Sequence, residues 1–424
     1  MIKALGNVFK VEELRNRVLF VLAIMVVYRI GAHIPVPGVD VAAIQEFLFA
    51  GAGEAGGVFD FLDMFAGGAL SNFSVFALSI TPYITASIIL QLLTVVSPRL
   101  EELQRQGREG RKKIAQYTRY LTVLLALIQS VGITMYILQF GAVPNPNSFD
   151  IIVIVVSLTA GTTVLMWLGE QINEYGIGNG ISILIFTSII ARFPYEIIET
   201  WTLFQAGALT VFNLILFGIL AVIITAGIVY VQEGERRIPV QYSKRIVGRK
   251  VYGGKSTHIP MKVNQAGVMP VIFASSVLLF PGVVAQVIPF DWAQGMADLI
   301  RPGSNLYIVL YGMLTFFFTY FYTAITFNPE EVADNMKKYG GFIPGIRPGQ
   351  ATVKYLDKIL VRVTLVGALF LSAVALLPFA MGPLTGVEIH WGGTSLLIMI
   401  GVALQTMQQI ESHLLMRHYE GFME

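Results

Sequence analysis

Between Gly56 and Ser97 the chain reads GGVFDFLDMFAGGALSNFSVFALSITPYITASIILQLLTVVS, and its second half, Asn72 to Val96, carries no charge. An uncharged stretch of that length crosses the roughly 30 Å hydrocarbon core of a bilayer as a helix. The first half is too short and too rich in glycine to do the same. Asp60 and Asp63 stand about one helical turn apart in FDFLDMFAGGAL and would share a face. A short half-apolar segment joined directly to a full span fits a piece folded back into the membrane region. Such a piece must be sheltered by protein, because bare backbone polar groups find no partner in lipid. Residues about 57–71 are therefore expected to form a short re-entrant stopper; an interfacial helix lying on the outer surface fits the same spacing.

Composition agrees with a membrane setting. Of 424 residues 55% are hydrophobic and 13% charged, about half the charged fraction of roughly 25% in a soluble domain. Cysteine is absent, which excludes a disulfide framework, a thiolate metal site and a thiol nucleophile. The 41 glycines and 18 prolines point to closely packed spans, several of them interrupted.

The first apolar run, Val18 to Tyr28, follows a basic amphipathic segment. With no small-residue cleavage site after it and many spans to come, it is expected to be a retained first helix. Uncharged runs follow at about 120–140, 151–169, 181–191, 211–232, 265–289, 304–327, 363–382 and 394–410. With 18–36 and 72–96 they make ten spans, of which the fifth, ISILIFTSIIARFPYEIIETW, loses apolar character after Ile190. All but three of the 29 Lys and Arg residues fall before span one, in the even-to-odd loops or in the tail, leaving Arg29, Arg192 and Arg301 for the other side. Both termini are thus expected to be cytoplasmic.

The long basic loops, 233–264 and 328–362, are the largest soluble features. Ile238, Val240 and Tyr242 alternate as in a short strand. Their positive charge fits a solvated inside loop, and equally a docking surface for ribosomal RNA or an acidic protein. GRKVYGGKS is not a phosphate-binding loop, since five residues rather than four separate Gly248 from Gly254 and no suitable strand and helix flank it. The five histidines, His33, His258, His390, His413 and His418, form no HExxH. Nothing here suggests an enzyme or a cofactor.

An internal repeat links the halves. Pro82, Ile84, Ala86 and Ser87 in the second span recur at the same spacing as Pro270, Ile272, Ala274 and Ser275 in the seventh. Five spans per half being odd, halves 1–200 and 201–424 would face opposite ways across the membrane. A coupled transporter would need ionisable groups within its spans, and the apolar runs hold none. They do hold isoleucines at mid-depth, which by periodicity alone are ordinary packing residues.

The strings ITPYITASIILQLLTVVSP, GREGRKKIAQYTRYLT, YGIGNGISILIF, VNQAGVMPVIFASSVLLFP, GGFIPGIRPGQAT and GGTSLLI resemble the bacterial SecY family, channel subunits of the Sec protein-translocation complex. The resemblance covers essentially the whole chain. It implies an all-α integral membrane protein of ten transmembrane helices in two inverted five-helix halves, with a short re-entrant plug helix containing Phe61, Leu62, Asp63, Met64, Phe65, Gly67 and Gly68. It makes Ile80, Ile84, Ile185, Ile189, Ile272 and Ile398 the candidate pore ring, since branched aliphatic side chains exclude water and ions yet give way around an extended polypeptide. A lateral gate between the second and seventh helices would include Ile84, Thr85, Ile88 and Phe280, with Gln91, Gln129 and Asn264 as a polar latch. There an apolar segment gains roughly 0.3–0.6 kcal/mol per Leu or Ile on entering lipid, whereas a charge costs about 2.5–3.5 kcal/mol. Arg236, Arg237, Lys244, Arg245, Arg249, Lys250 and Arg347 would dock partners.

The implied partners are the SecE and SecG subunits, the SecA motor, the ribosome, signal sequences, nascent chains and lipid, and the implied location is the bacterial cytoplasmic (inner) membrane. An inverted-repeat carrier for small solutes and a passive assembly scaffold are the alternatives.

Overall fold

The computed structural model describes residues 11–50, 63, 65–139, 141–144, 146–242, 245–247, 250–252, 256–287, 295, 299–300, 303–385 and 393–420. Its secondary structure is set by local chemistry at the helix ends. α1 (Glu12–Gly31) opens with two acidic residues in its first turn, where they complement the positive end of the helix dipole. α2 (Val41–Ala50), a helix the apolar runs did not single out, follows the turn at 32–40. α3 (Thr81–Val96) starts with Pro82 in its first turn, and α4 (Pro98–Arg105) continues it after a bend of 99°. Beyond lie α5 (Arg108–Gln139), α6 (Ser148–Tyr175), α7 (Gly180–Gln205) and α8 (Val211–Glu233). Asn147 and Asp150 form a reciprocal capping box on α6, and Asn179 caps α7 through Ser182 N. The second set comprises α9 (Met269–Val287), α10 (Asn305–Thr326), α11 (Pro329–Lys338), α12 (Gln350–Thr385) and α13 (Gly393–Glu420).

Ten of these helices have sixteen residues or more. Among the described residues six are long and apolar enough to cross a bilayer, seven if the bent α3–α4 pair is taken as one span. α1, α9 and α13 complete the bundle. The principal packings repeat between the sets. In the first, α3 packs on α5, α5 on α6, α6 on α7, and α1 on both α6 and α7, with α3 also touching α6. In the second, α9 packs on α10, α10 on α12, α12 on α13, and α8 on both α12 and α13, with α9 also touching α12. Each of these contacts in one set has its counterpart in the other. Between sets, α9 meets α3 and α5, and α13 meets α7. The fold is therefore an all-α bundle of two five-helix sets with matching packings.

Three expectations are corrected by the structure. Asn72 to Val96 is not one helix: residues 67–80 form turns and the helix begins only at Thr81. Pro82 disfavours helical backbone immediately before it and cannot donate to a turn upstream. Phe73 and Ser79 take positive φ of 39° and 54°, and Val36 N and Val75 N bond across to Phe73 O and Ile34 O. Gly161 of α6 lets this irregular backbone approach, since a Cβ there would stand 1.7 Å from Val75 O. Second, the division at 200/201 falls inside α7, which runs to Gln205 before the turn at Gly207. Third, 350–362 is not loop but the first turns of α12.

The remaining basic-loop residues fold together. β1 (Glu235–Tyr242) pairs antiparallel with β4 (Ser256–Lys262), placing Ile238 opposite Ile259, and with β5 (Gly341–Phe342). A separate ribbon joins β2 (Arg245–Val247) to β3 (Lys250–Tyr252). The expected alternation in β1 is present, with Ile238 and Val240 buried and Tyr242 half-buried. They share a small core with Met261, Met336, Ile343, Leu356, Ile359 and Leu360. Both loops thus form one unit on a common apolar centre.

Candidate functional site

All six isoleucines singled out in the sequence are buried, and all belong to one continuous apolar cluster. Ile80 caps α3 and Ile84 lies one turn along it; Ile185 and Ile189 lie one turn apart on α7; Ile272 is on α9 and Ile398 on α13. These four helices make two of the contacts between the halves, α3 with α9 and α7 with α13. They are also related pairwise by the repeat, and Pro82 and Pro270 each occupy the second position of their helix. Apolar side chains at such a boundary stay in contact by dispersion and burial alone. They can separate without leaving a polar group unpartnered.

The stopper segment lies against the same cluster. Asp63, Phe65 and Ala66 are helical, and Phe65, Ala66, Ala69, Leu70 and Phe73 are buried. Phe61, Leu62 and Met64, with Asp60, lie outside the described residues. Gly67 and Gly68 have φ of +65° and +85°, which turns the chain sharply at no steric cost. A Cβ on Gly67 would stand 2.8 Å from Ser188 Cα.

Polar groups of α1 and α7 grip this turn. Tyr28 Oη donates to Ala66 O at 2.9 Å, Arg29 Nη1 to Gly67 O at 2.9 Å, and Ser79 Oγ to Phe65 O at 2.9 Å. Asp63 accepts from Leu70 N, Ser71 N and Ser71 Oγ, and pairs with Arg192 at 3.2 Å. Arg192 also pairs with Glu196 at 3.5 Å. Sequence reasoning missed Tyr28, Arg29, Ser188, Arg192 and Glu196. Arg29 and Arg192 were legible only as two of the three basic residues on the sparsely charged side; nothing local marks their partner.

At the seam between α3 and α9, Ile84 and Ile88 are buried and Thr85 bonds back to Thr81 O. Gln129 of α5 is buried, and Gln91 Oε1 is buried without a partner. Asn264 instead donates to Gly267 O and lines a cavity of about 260 Å³ with Gln232, Lys262 and Gln408. Among the described residues no hydrogen bond joins Gln91, Gln129 and Asn264. The backbone of Phe280 is in α9, and its side chain lies outside what is described.

Of the docking candidates, Arg236, Arg237 and Arg347 are exposed, and Arg237 pairs with Glu235 at 2.7 Å. Arg245 and Lys250 lie on the β2–β3 ribbon; Lys244 and Arg249 fall outside the described residues. Among the described residues no three His, Asp or Glu side chains are grouped to hold a metal ion.

The SecY family model matches residues 74–407. A protein translocase subunit SecY of Thermotoga maritima is 47% identical, over the whole of this chain and 98% of its own length. The subunit of the same name from Streptomyces galbus is 50% identical, with both chains covered completely. Among solved structures, one concerning the plug domain of SecY and the closed state of the translocation channel has a TM-score of 0.66 at 18% identity, covering 94% of this chain and 92% of that one. Sec61 in a canine ribosome-channel complex has a TM-score of 0.63 at 15% identity, covering 94% and 92%. At those identities the structures establish the fold, and the relatives at 47–50% establish the kinship: this chain belongs to the SecY family.

Proposed function

We propose that the chain is a protein-conducting channel, which passes unfolded secretory polypeptides across the membrane and releases apolar segments sideways into lipid. The observation that carries this reading is the placement of six buried isoleucines on the two symmetry-related helix pairs that join the halves. Parting those pairs opens an apolar throat, whose branched side chains exclude water when empty and fit around a chain when full. The segment at about 57–71 acts as the plug. The contact of α9 with α3 and α5 acts as the lateral gate, where partitioning into lipid selects apolar segments.

The relatives' name describes a subunit, and this reading gives the chain SecE and SecG as companions and SecA or the ribosome as the source of driving force. The channel itself does no catalysis. Arg236, Arg237 and Arg347, with Lys244, Arg245, Arg249 and Lys250, form the docking face for those partners. On this reading the membrane is the bacterial cytoplasmic one, with both termini inside, the orientation that the distribution of Lys and Arg favours. Residues 1–200 and 201–424 correspond to the two halves, apart from the helical turn that α7 adds to the first.

The chain has no cysteine, so single replacements test the throat directly. Cysteine at 80, 84, 185, 189, 272 or 398 is expected to cross-link to a cysteine in an arrested secretory precursor. Cysteine at Ile219, on the exposed face of α8, is expected not to. Equal yields at all seven positions would remove the channel assignment.

A further inference from the structure

Among the described residues the plug meets α7 through one ion pair, and both of its charges have other partners already in place. Asp63 Oδ1 accepts from Leu70 N at 2.9 Å and Ser71 N at 3.0 Å, and Ser71 Oγ donates to Oδ2. Those donors belong to the plug segment and travel with it. Arg192 Nη1 reaches Asp63 Oδ2 at 3.2 Å while its Nε faces Glu196 Oε1, one turn further along α7, at 3.5 Å. The three side chains are 16% exposed or less, which is too buried for an unpaired charge to be tolerated. Two carboxylates thus share one guanidinium. Glu196 Oε2 is buried without a hydrogen bond.

We propose that Arg192 is the positioning residue that holds the plug shut, and that Glu196 is its standby partner, keeping Arg192 paired when the plug leaves. This rests on the reading of about 57–71 as the plug of a channel. With Glu196 present, release exchanges a shared guanidinium for an i,i+4 pair on α7, and Asp63 departs with its own donors. Without Glu196, release would strand a buried cation, and Arg192 would be committed to Asp63. The two acids therefore act on the plug in opposite senses. Ser395, Leu396 and Met399 of α13 line the small cavity over Arg192 and Glu196. Because α7 and α13 join the halves, their separation would be felt first at this standby pair.

The full chain, reconstituted with its membrane partners in liposomes, gives two readouts: ion leak without precursor, and precursor transport. D63N and R192Q are expected to raise resting leak about tenfold, and the double variant no more than either single one. R192K is expected to restore most of the seal, which also separates a charge effect from misfolding. E196Q is expected to leave leak at or below the parent value and to slow transport. A leak in E196Q equal to that of R192Q, or additive effects of D63N and R192Q, would overturn the proposal. Deletion of 60–70 is the control. If it leaves leak unchanged the plug reading itself fails; if it raises leak while R192Q does not, only the latch fails.

Discussion

Tyr28 Oη lies 2.6 Å from Ser188 Oγ while donating to Ala66 O at 2.9 Å, so one hydroxyl joins α1, α7 and the turn at Gly67. Its ring stacks on Phe76 with centroids 5.9 Å apart and planes 6° from parallel. Tyr28→Phe keeps the stack and leaves Ala66 O with only the longer bond from Ala69 N, at 3.3 Å, a loss of about 0.5–1.5 kcal/mol. Resting ion leak is expected to rise in this variant with little change in thermal stability of the bundle. Ser188→Ala, which removes only the lateral partner, is expected to leak less than Tyr28→Phe. Conductance of reconstituted vesicles measures both.

Gly67 offers a steric test of the same contact. Its φ of +65° alone penalises a side chain by roughly 1–2 kcal/mol, and a Cβ would also press on the α7 backbone at 2.8 Å. Gly68 has φ of +85° but open space around it. Gly67→Ala is therefore expected to unseat the plug more than Gly68→Ala, read as a larger precursor-independent leak. Equal leaks would mean that backbone strain, not the approach to Ser188, decides the seat.

Much of this architecture was legible from the chain because the governing signals are local. Uncharged length marks spans, Lys and Arg mark sidedness, and the repeat around Pro82 and Pro270 marks two equivalent helices. What stayed hidden depends on partners far apart in sequence. Asp63 and Arg192 are 129 residues apart; in sequence the first belongs to the stopper and the second is one of three basic residues on the sparsely charged side, and nothing local joins them. Asn264 enters the latch through the resemblance alone; what only packing reveals is its bond to Gly267 O and its place on a cavity shared with Gln232. The break at 67–80 was missed since an uncharged run fixes hydropathy but not backbone, and Pro82 carried the only local warning.

The unit built from the two basic loops separates stability from docking. Leu356 is fully buried in its core, so Leu356→Ala is expected to destabilise it by about 2–5 kcal/mol. Faster proteolysis between β1 and β4 would report this. Arg347 is exposed, and Arg347→Glu is expected to change stability by no more than about 0.5 kcal/mol. It is expected instead to weaken binding of a motor ATPase or ribosome in a manner that steepens at low salt. Protease resistance lost in Arg347→Glu would assign that residue to the fold rather than the partner surface.

The throat isoleucines carry the most exacting prediction, because a seal and a packing residue differ in what their loss admits. Ile272 is 2% exposed and Ile398 0%. Truncating either to alanine removes about 2–5 kcal/mol of packing, whichever role it has. A residue that only packs would register that loss as a lower unfolding temperature. A residue of a dewetted constriction would in addition let water thread the gap, raising conductance most when a precursor has already displaced the plug. Ile272→Ala and Ile398→Ala are thus expected to raise ion flow through precursor-engaged channels while transport continues. Ile219→Ala on the exposed face of α8 is expected to change neither. Single-channel recording in planar bilayers distinguishes the cases: equal conductance in all three variants with an arrested precursor in place would return these isoleucines to ordinary helix packing.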